Sequence, residues 1–260
     1  MDLKKLKDDW ESLAKSDALG AILTDQTKAS GRWQLDEFMA TGEAEIAAML
    51  LYLDQIGNRP DYGGAALDFG CGVGRLTQAL GRRFASCVGV DISQEMIDQA
   101  ERLNRYPHCR YVMNSSTRLP FSNESFTFIY SNIVLQHVPP QFAELYLQDF
   151  VRILKAGGIL VFGVQDSFAM PDLSSRVMRI RQTLRLRSRV KRLAGKNQGE
   201  MLMHCLPEAA VRRALGADAT IIDIQWTNTA AKDFNGKLEY LERPPRSGYL
   251  GRQYCVLKRG

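Results

Sequence analysis

The sequence predicts an α/β fold built on a parallel sheet, and three observations predict it. Ala65, Ala66, Leu67 and Phe69 make a short apolar run that stops at glycine, the pattern of a strand buried on both faces. Gly70, Gly72 and Gly74 then alternate with Cys71, Val73 and Arg75 before helical spacing begins. After one helix, a second apolar run ends at Asp91. Glycines at this spacing let the chain turn tightly against a ligand, with helix N–H groups aimed at it. A carboxylate at the next strand end can accept both hydroxyl protons of a ribose. Together these features point to an adenosine-containing cofactor at the switch point of the sheet.

The other elements follow in order. Residues 3–15 read as a short charged helix, and residues 24–34 as a loop carrying Trp33. Leu35, Phe38, Met39, Ile46, Met49, Leu50, Leu53 and Ile56 keep helical spacing, which predicts a second helix packed on the sheet edge and reaching over the cofactor. Asn58 to Gly64 is turn chemistry leading into the first strand. Leu76, Leu80 and Phe84 continue the helix after the glycines, and Cys87 to Val90 is the second strand. Ser93 is placed to cap the next helix, with Glu95 in its first turn. Residues 110–113 make a third strand, and Phe126, Phe128 and Ile129 a fourth that ends at Ser131 and Asn132. Pro139 and Pro140 open a helix that Gly157 and Gly158 close. Residues 159–164 are a fifth strand. Residues 165–206 read as an insertion, 207–215 as a helix, and 220–226 with 254–258 as a final strand pair. The expected layout is one domain: a helical cap over 1–60, a core over 61–164, the insertion, and a C-terminal unit over 207–260.

The nicotinamide fingerprint has a small residue at its third position, whereas this chain has Arg75 there and its last glycine one place early. The string Asp68-Phe-Gly-Cys-Gly-Val-Gly-Arg75 instead resembles motif I of the class I S-adenosylmethionine-dependent methyltransferases. Asp91, the Leu119-Pro-Phe121 run, the segment from Ser131 to Pro140 and the Lys155-Ala-Gly-Gly158 turn extend the resemblance. It implies a Rossmann-like sheet of strand order 3-2-1-4-5-7-6 and S-adenosyl-L-methionine as cofactor. It also implies cofactor contacts from Asp68, Gly70, Cys71, Gly72, Gly74, Arg75, Asp91 and Ile92. Further contacts would come from Asn114 and Ser115 at the adenine edge and from Ser131 and Asn132 after the fourth strand. Trp33 and the Thr41-Gly42 pair are candidate contacts from the cap, with a core anchor the equal reading for Trp33.

Composition narrows the class. The 260 residues are 45% hydrophobic and 24% charged, ordinary values for a globular enzyme domain. No apolar run has the length of a membrane span, and the first ten residues lack the apolar segment of a signal peptide. Five dispersed cysteines with no C-x-x-C argue for reduced thiols in the cytoplasm. Residues 173–199 hold nine Lys or Arg and no acid; removing them from the net +5 leaves −4 on the rest. The basic balance therefore belongs to one segment, and nucleic-acid affinity is not inferred from it. That segment is expected to be either a lid or docking surface for an anionic, lipid-linked or membrane-surface partner, or a solvated helix with Leu173, Val177, Ile180 and Leu184 on one side.

For the chemistry, a sulfonium methyl needs little beyond an aligned nucleophile. A hydroxyl acceptor also needs a base, for which histidine is suited. His137, after the fourth strand, and His204, ahead of the late helix, are the candidates; His108 sits at the far edge and is expected to be solvated. The fourth strand runs into Ser-Asn-Ile-Val, not an Asp-Pro-Pro-Tyr type motif, which disfavours methylation of nucleic-acid bases. No Asp-Asn pair follows it, which disfavours a metal-dependent catechol chemistry, and Asp166 alone reads as a loop cap. The expected activity is methyl transfer to oxygen of a small-molecule, sugar-linked or lipid-linked acceptor. A non-catalytic cofactor-binding module, N-methylation of a small amine and a nicotinamide oxidoreductase are the competing readings. The oligomeric state is left open.

Overall fold

In the computed structural model the described residues are 2–25, 27–28, 31–169, 201–231 and 234–260. The nine-cation stretch lies outside them, so the lid expectation rests on sequence alone. Eight strands form one sheet in the order β3-β2-β1-β4-β5-β8-β6-β7. β1 (Ala65–Phe69), β2 (Ser86–Asp91), β3 (Cys109–Met113), β4 (Phe126–Ser131) and the inner part of β5 (Leu154–Ala169) pair in parallel. β6 (Ala219–Thr227) and β8 (Gly248–Lys258) close the sheet antiparallel. The expected order holds with one addition, the edge strand β7 (Tyr240–Leu241) outside β6. Two residues are too few to carry an alternation, so β7 has no signature in its polar surroundings.

Both faces of the sheet are covered, which is why the central strands read as unbroken apolar runs. α5 (Pro140–Ile153) and α6 (Glu208–Leu215) bury Phe150, Leu147 and Val211 on one face against Leu67, Ile129 and Phe162. α2 (Leu35–Gln55) and α3 (Arg75–Gly81) bury Ile46, Met49, Leu53 and Leu80 on the other, against Ala66, Phe128 and Val161. Phe150 and Phe128 are both fully enclosed, each contributing roughly 1.5–3 kcal/mol. α2 therefore lies across a sheet face and not along its edge, as the helical spacing alone had suggested.

α1 (Leu3–Ile22) runs well past the expected end at residue 15. The chain kinks at Asp17, whose carboxylate accepts the N–H groups of Gly20 and Gly31, each at 3.1 Å. Asp17 thus acts as an internal N-cap that starts a further helical turn. α1 packs on α4 (Gln94–Leu103) through Ala14 and Ala18, with Met96 opposite. Its Glu11 carboxylate accepts from the Ser93 hydroxyl at 2.8 Å and from the Glu95 N–H at 3.2 Å. An anion at that N–H also matches the positive end of α4. Ser93 itself caps α4 through Met96 N, as its position predicts.

Candidate functional site

A cavity of about 990 Å³ opens at the carboxyl ends of the parallel strands. That is the upper end of ordinary small-molecule sites, which run ~300–1,000 Å³, and leaves room for more than one ligand. Gly70, Gly72, Asp91, Ile92 and Asn114 line one side. Gly70 and Gly72 have φ of +77° and +52°, values open to glycine but not to most residues. Gly70 N and Cys71 N both donate to the Val90 carbonyl, at 2.7 and 3.0 Å, tying the loop to the end of β2. The Asp91 carboxylate accepts from Gly72 N and Ser93 N, each at 2.9 Å. Burial raises its pKa, partly offset by those two N–H groups.

The remaining expected cofactor residues do not line the cavity. Asp68 is buried under the loop, where it accepts from the Thr77 hydroxyl at 2.7 Å, and burial pushes its pKa up to about 7. Cys71 is buried among Ile97, Ala100 and Tyr111. Gly74, at φ +86°, caps α3. Arg75 turns away from the cavity to pair with Glu45 of α2 at 2.8 Å. Ser131 donates to the Phe69 carbonyl at 3.1 Å, pinning β4 to β1, and Asn132 is buried beside it. Ser115 is exposed on the loop after β3. Trp33 is packed in a cluster with Phe38 and Val73, its indole N–H on the Leu23 carbonyl, so it anchors the core and does not line the cavity. Thr41 and Gly42 face Arg75 instead.

α1 supplies what α2 was expected to supply. Leu6, Trp10, Ala21 and Ile22 line the cavity, and Ile22 Cδ1 lies 2.5 Å from where a Cβ on Gly72 would sit. Leu6, Trp10, Ala14 and Ala18 recur every fourth residue, a helical stripe that continues past residue 15.

The two candidate histidines differ. His137, in a turn of 3-10 helix (Leu135–His137), lines the cavity and is 6% exposed. Its Nδ1 lies 2.9 Å from the Leu202 carbonyl, which can only accept, so Nδ1 carries the proton and Nε2 the lone pair. The Gln136 amide nitrogen lies 3.3 Å from Nε2. Trp10 meets the ring edge-on at 5.4 Å. Burial lowers the pKa of His137 to about 4. His204 does not line the cavity; its backbone N donates to the Gln136 carbonyl at 2.7 Å, and its buried Nε2 has no partner among the described residues. Burial lowers its pKa as well. His108 is exposed, as expected, and its Nε2 lies 2.8 Å from the Gly81 carbonyl.

The rest of the cavity is largely apolar. Phe168, Met201, Met203, Leu241 and Tyr249 come from β5, β7, β8 and the chain before α6, and Tyr146 from α5. Spacing could not flag these residues, because they converge from distant elements. Among the described residues no cluster of three or more His, Cys, Asp or Glu is arranged to hold a metal ion, and no helix is long and apolar enough to cross a membrane.

A parallel sheet of this order, with a glycine loop after β1 and an acid ending β2, defines a class I S-adenosylmethionine-dependent methyltransferase fold. Residues 67–162 match the model of the methyltransferase-domain family. Over its full length the fold is similar to the magnesium protoporphyrin IX methyltransferase of Synechocystis with bound S-adenosylhomocysteine (TM-score 0.59, 18% identity, 99% of this chain and 100% of that one). In sequence it is 36% identical over 111 residues to the malonyl-[acyl-carrier protein] O-methyltransferase of Herminiimonas arsenicoxydans, covering 42% of this chain and 40% of that one. It is 29% identical over 106 residues to phosphoethanolamine N-methyltransferase 3 of Arabidopsis thaliana, 40% of this chain and 22% of that one. The chain thus spans less than half the length of these curated relatives.

Proposed function

We propose that this protein transfers a methyl group from S-adenosylmethionine to a hydroxyl of an apolar small-molecule or lipid-linked acceptor, in the cytoplasm. The observation that carries the reading is a single cavity with Gly70, Gly72 and Asp91 at one end and Phe168, Met201, Met203 and Tyr249 at the other. An acceptor-only carboxylate at the end of β2 suits a ribose diol, which brings two O–H donors. The Gly70–Gly74 loop, free of side chains at alternate positions, suits close approach of a ligand to the backbone. When bound, S-adenosylmethionine supplies a sulfonium methyl that needs no further activation.

The chain's own part is then to desolvate, align and deprotonate the acceptor. Apolar walls exclude water and favour an acceptor with a large apolar body. Alignment of the acceptor can account for ~7–11 kcal/mol of the barrier. His137 Nε2, unprotonated at neutral pH, is suited to take the hydroxyl proton once the acceptor displaces the Gln136 amide that lies 3.3 Å from it. The burial that keeps it neutral also makes it a weak base, so its contribution falls at the low end of the general-base range, ~10².

The test is release of S-adenosylhomocysteine from S-adenosylmethionine across a panel of acceptors. Turnover with apolar alcohols or phenols, and none with matched amines or with short polar alcohols, supports the reading. Turnover with amines alone makes the protein an N-methyltransferase, and turnover with neither class removes the proposed acceptor.

A further inference from the structure

Glu45 lies at the middle of α2 and is not among the residues that line the cavity, yet it is fully buried and touches both elements that bound the cofactor end. Its Oε2 accepts from Arg75 at 2.8 Å. Its Oε1 accepts from the Tyr130 hydroxyl at 3.0 Å and from the Asn132 amide at 2.8 Å. Arg75 is the first residue of α3, directly after the glycine loop, and Asn132 is the first residue beyond β4. A buried ion pair of this kind adds little stability over well-packed apolar side chains, so its place here calls for another reason.

The reason lies one residue further on. The Asn132 amide oxygen accepts the Ile133 N–H at 3.1 Å, and Ile133 has φ of +54°. A left-handed backbone is a true outlier for a β-branched residue and persists only where its surroundings over-determine it. Ile133 and Val134 line the cavity, and a Cβ on Gly70 would come within 2.3 Å of the Val134 side chain. The strained turn is therefore packed straight against the glycine loop. Gly163 of β5 makes room for the arrangement, since a Cβ there would lie 2.7 Å from Asn132 Oδ1.

We propose that Glu45 is a positioning residue for the cofactor end of the cavity. Through Asn132 it holds the Ile133 turn, and through Arg75 it holds the start of α3, so the two walls keep a fixed spacing. This inference rests on the reading that the cavity binds S-adenosylmethionine.

The experiment is calorimetric titration with S-adenosylhomocysteine, alongside thermal melting, for the wild type, Asn132→Ala, the double variant Glu45→Leu/Arg75→Leu, and the triple variant. The double variant leaves no unpaired buried charge, so its melting stays cooperative. Its Kd is expected to rise about tenfold, as is that of Asn132→Ala. The triple variant is expected to lose less than the sum of the two, because Asn132 is one of the groups through which Glu45 acts. A folded double variant or Asn132→Ala with wild-type Kd overturns the inference, and so do fully additive losses in the triple. Should the double variant not fold, Asn132→Ala decides by the same criterion. A wild type that does not bind S-adenosylhomocysteine overturns the cofactor reading and this inference with it. Wild-type binding with unchanged variants overturns the inference alone.

Discussion

The rings of Trp10 and His137 meet edge to face at 5.4 Å, joining the first helix of the chain to the turn after β4 at the cavity wall. Trp10 is part of what keeps the imidazole out of water, and burial is the leading cause of its low pKa. Replacing Trp10 by Ala should let water in and move the His137 pKa up toward the ordinary value near ~6.5. The accompanying loss of stability should be about 1–3 kcal/mol, less than for a fully enclosed tryptophan, because this one is half-buried. Following the imidazole C–H resonance against pH in both proteins checks the first point. An unmoved titration would mean that Trp10 does not shield the ring.

The low pKa of His137 also sets a sign for stability against pH. Between the ordinary value of ~6.5 and about 4 the unfolded chain binds a proton at this position that the folded chain does not. Stability from this group is therefore complete above pH ~6.5 and is lost as pH falls toward 4, by about 3 kcal/mol over the whole window. Urea unfolding at a series of pH values, wild type against His137→Gln, should show a shallower slope in the variant over that window. Parallel curves would remove the assignment.

Much of this was legible in the sequence because the relevant signals are local. The glycine run, the apolar run ending in Asp91 and the Ser93 cap each occupy a few adjacent residues, and the sheet order follows from the class those residues imply. What was missed is non-local. Ala21 and Ile22 enter the cavity because Asp17 restarts α1 beyond a kink, where its carboxylate also accepts from Gly31 of the following loop. Arg75 follows the glycines directly yet turns away from the cavity, because Glu45 from another helix holds it. Asp68 belongs to the motif in sequence but is tied beneath the loop by Thr77. Met203, Phe168 and Tyr249 share no pattern, since only the fold brings them together.

His137 and His204 should separate under mutation. His137→Ala is expected to lower kcat by ~10² for a hydroxyl acceptor while leaving cofactor affinity within about twofold. His204→Ala, removing a ring that does not line the cavity, should leave kcat close to wild type. Single-turnover rates with one acceptor decide between them, and a larger loss for His204 would reverse the roles.

Met203→Ser should distinguish the two ends of the cavity. The substitution places a hydroxyl on the apolar wall and removes most of the side chain, which should raise acceptor KM by about tenfold, on the order of 1.4 kcal/mol. Affinity for S-adenosylhomocysteine should be unchanged. A rise in the nucleoside Kd, with acceptor KM intact, would put Met203 at the cofactor end instead.

The most direct measurement is the affinity of S-adenosylhomocysteine for wild type and for Asp91→Ala, by calorimetry. The carboxylate reaches the cavity at the end of β2 and also holds Gly72 N at 2.9 Å, so its loss removes ligand contacts and loosens the loop together. Hydrogen bonds to a charged group contribute roughly 1.5–3 kcal/mol each, which predicts binding ~10- to 100-fold weaker in the variant. A variant that melts cooperatively and binds as tightly as wild type would contradict the assignment of this cavity to the cofactor.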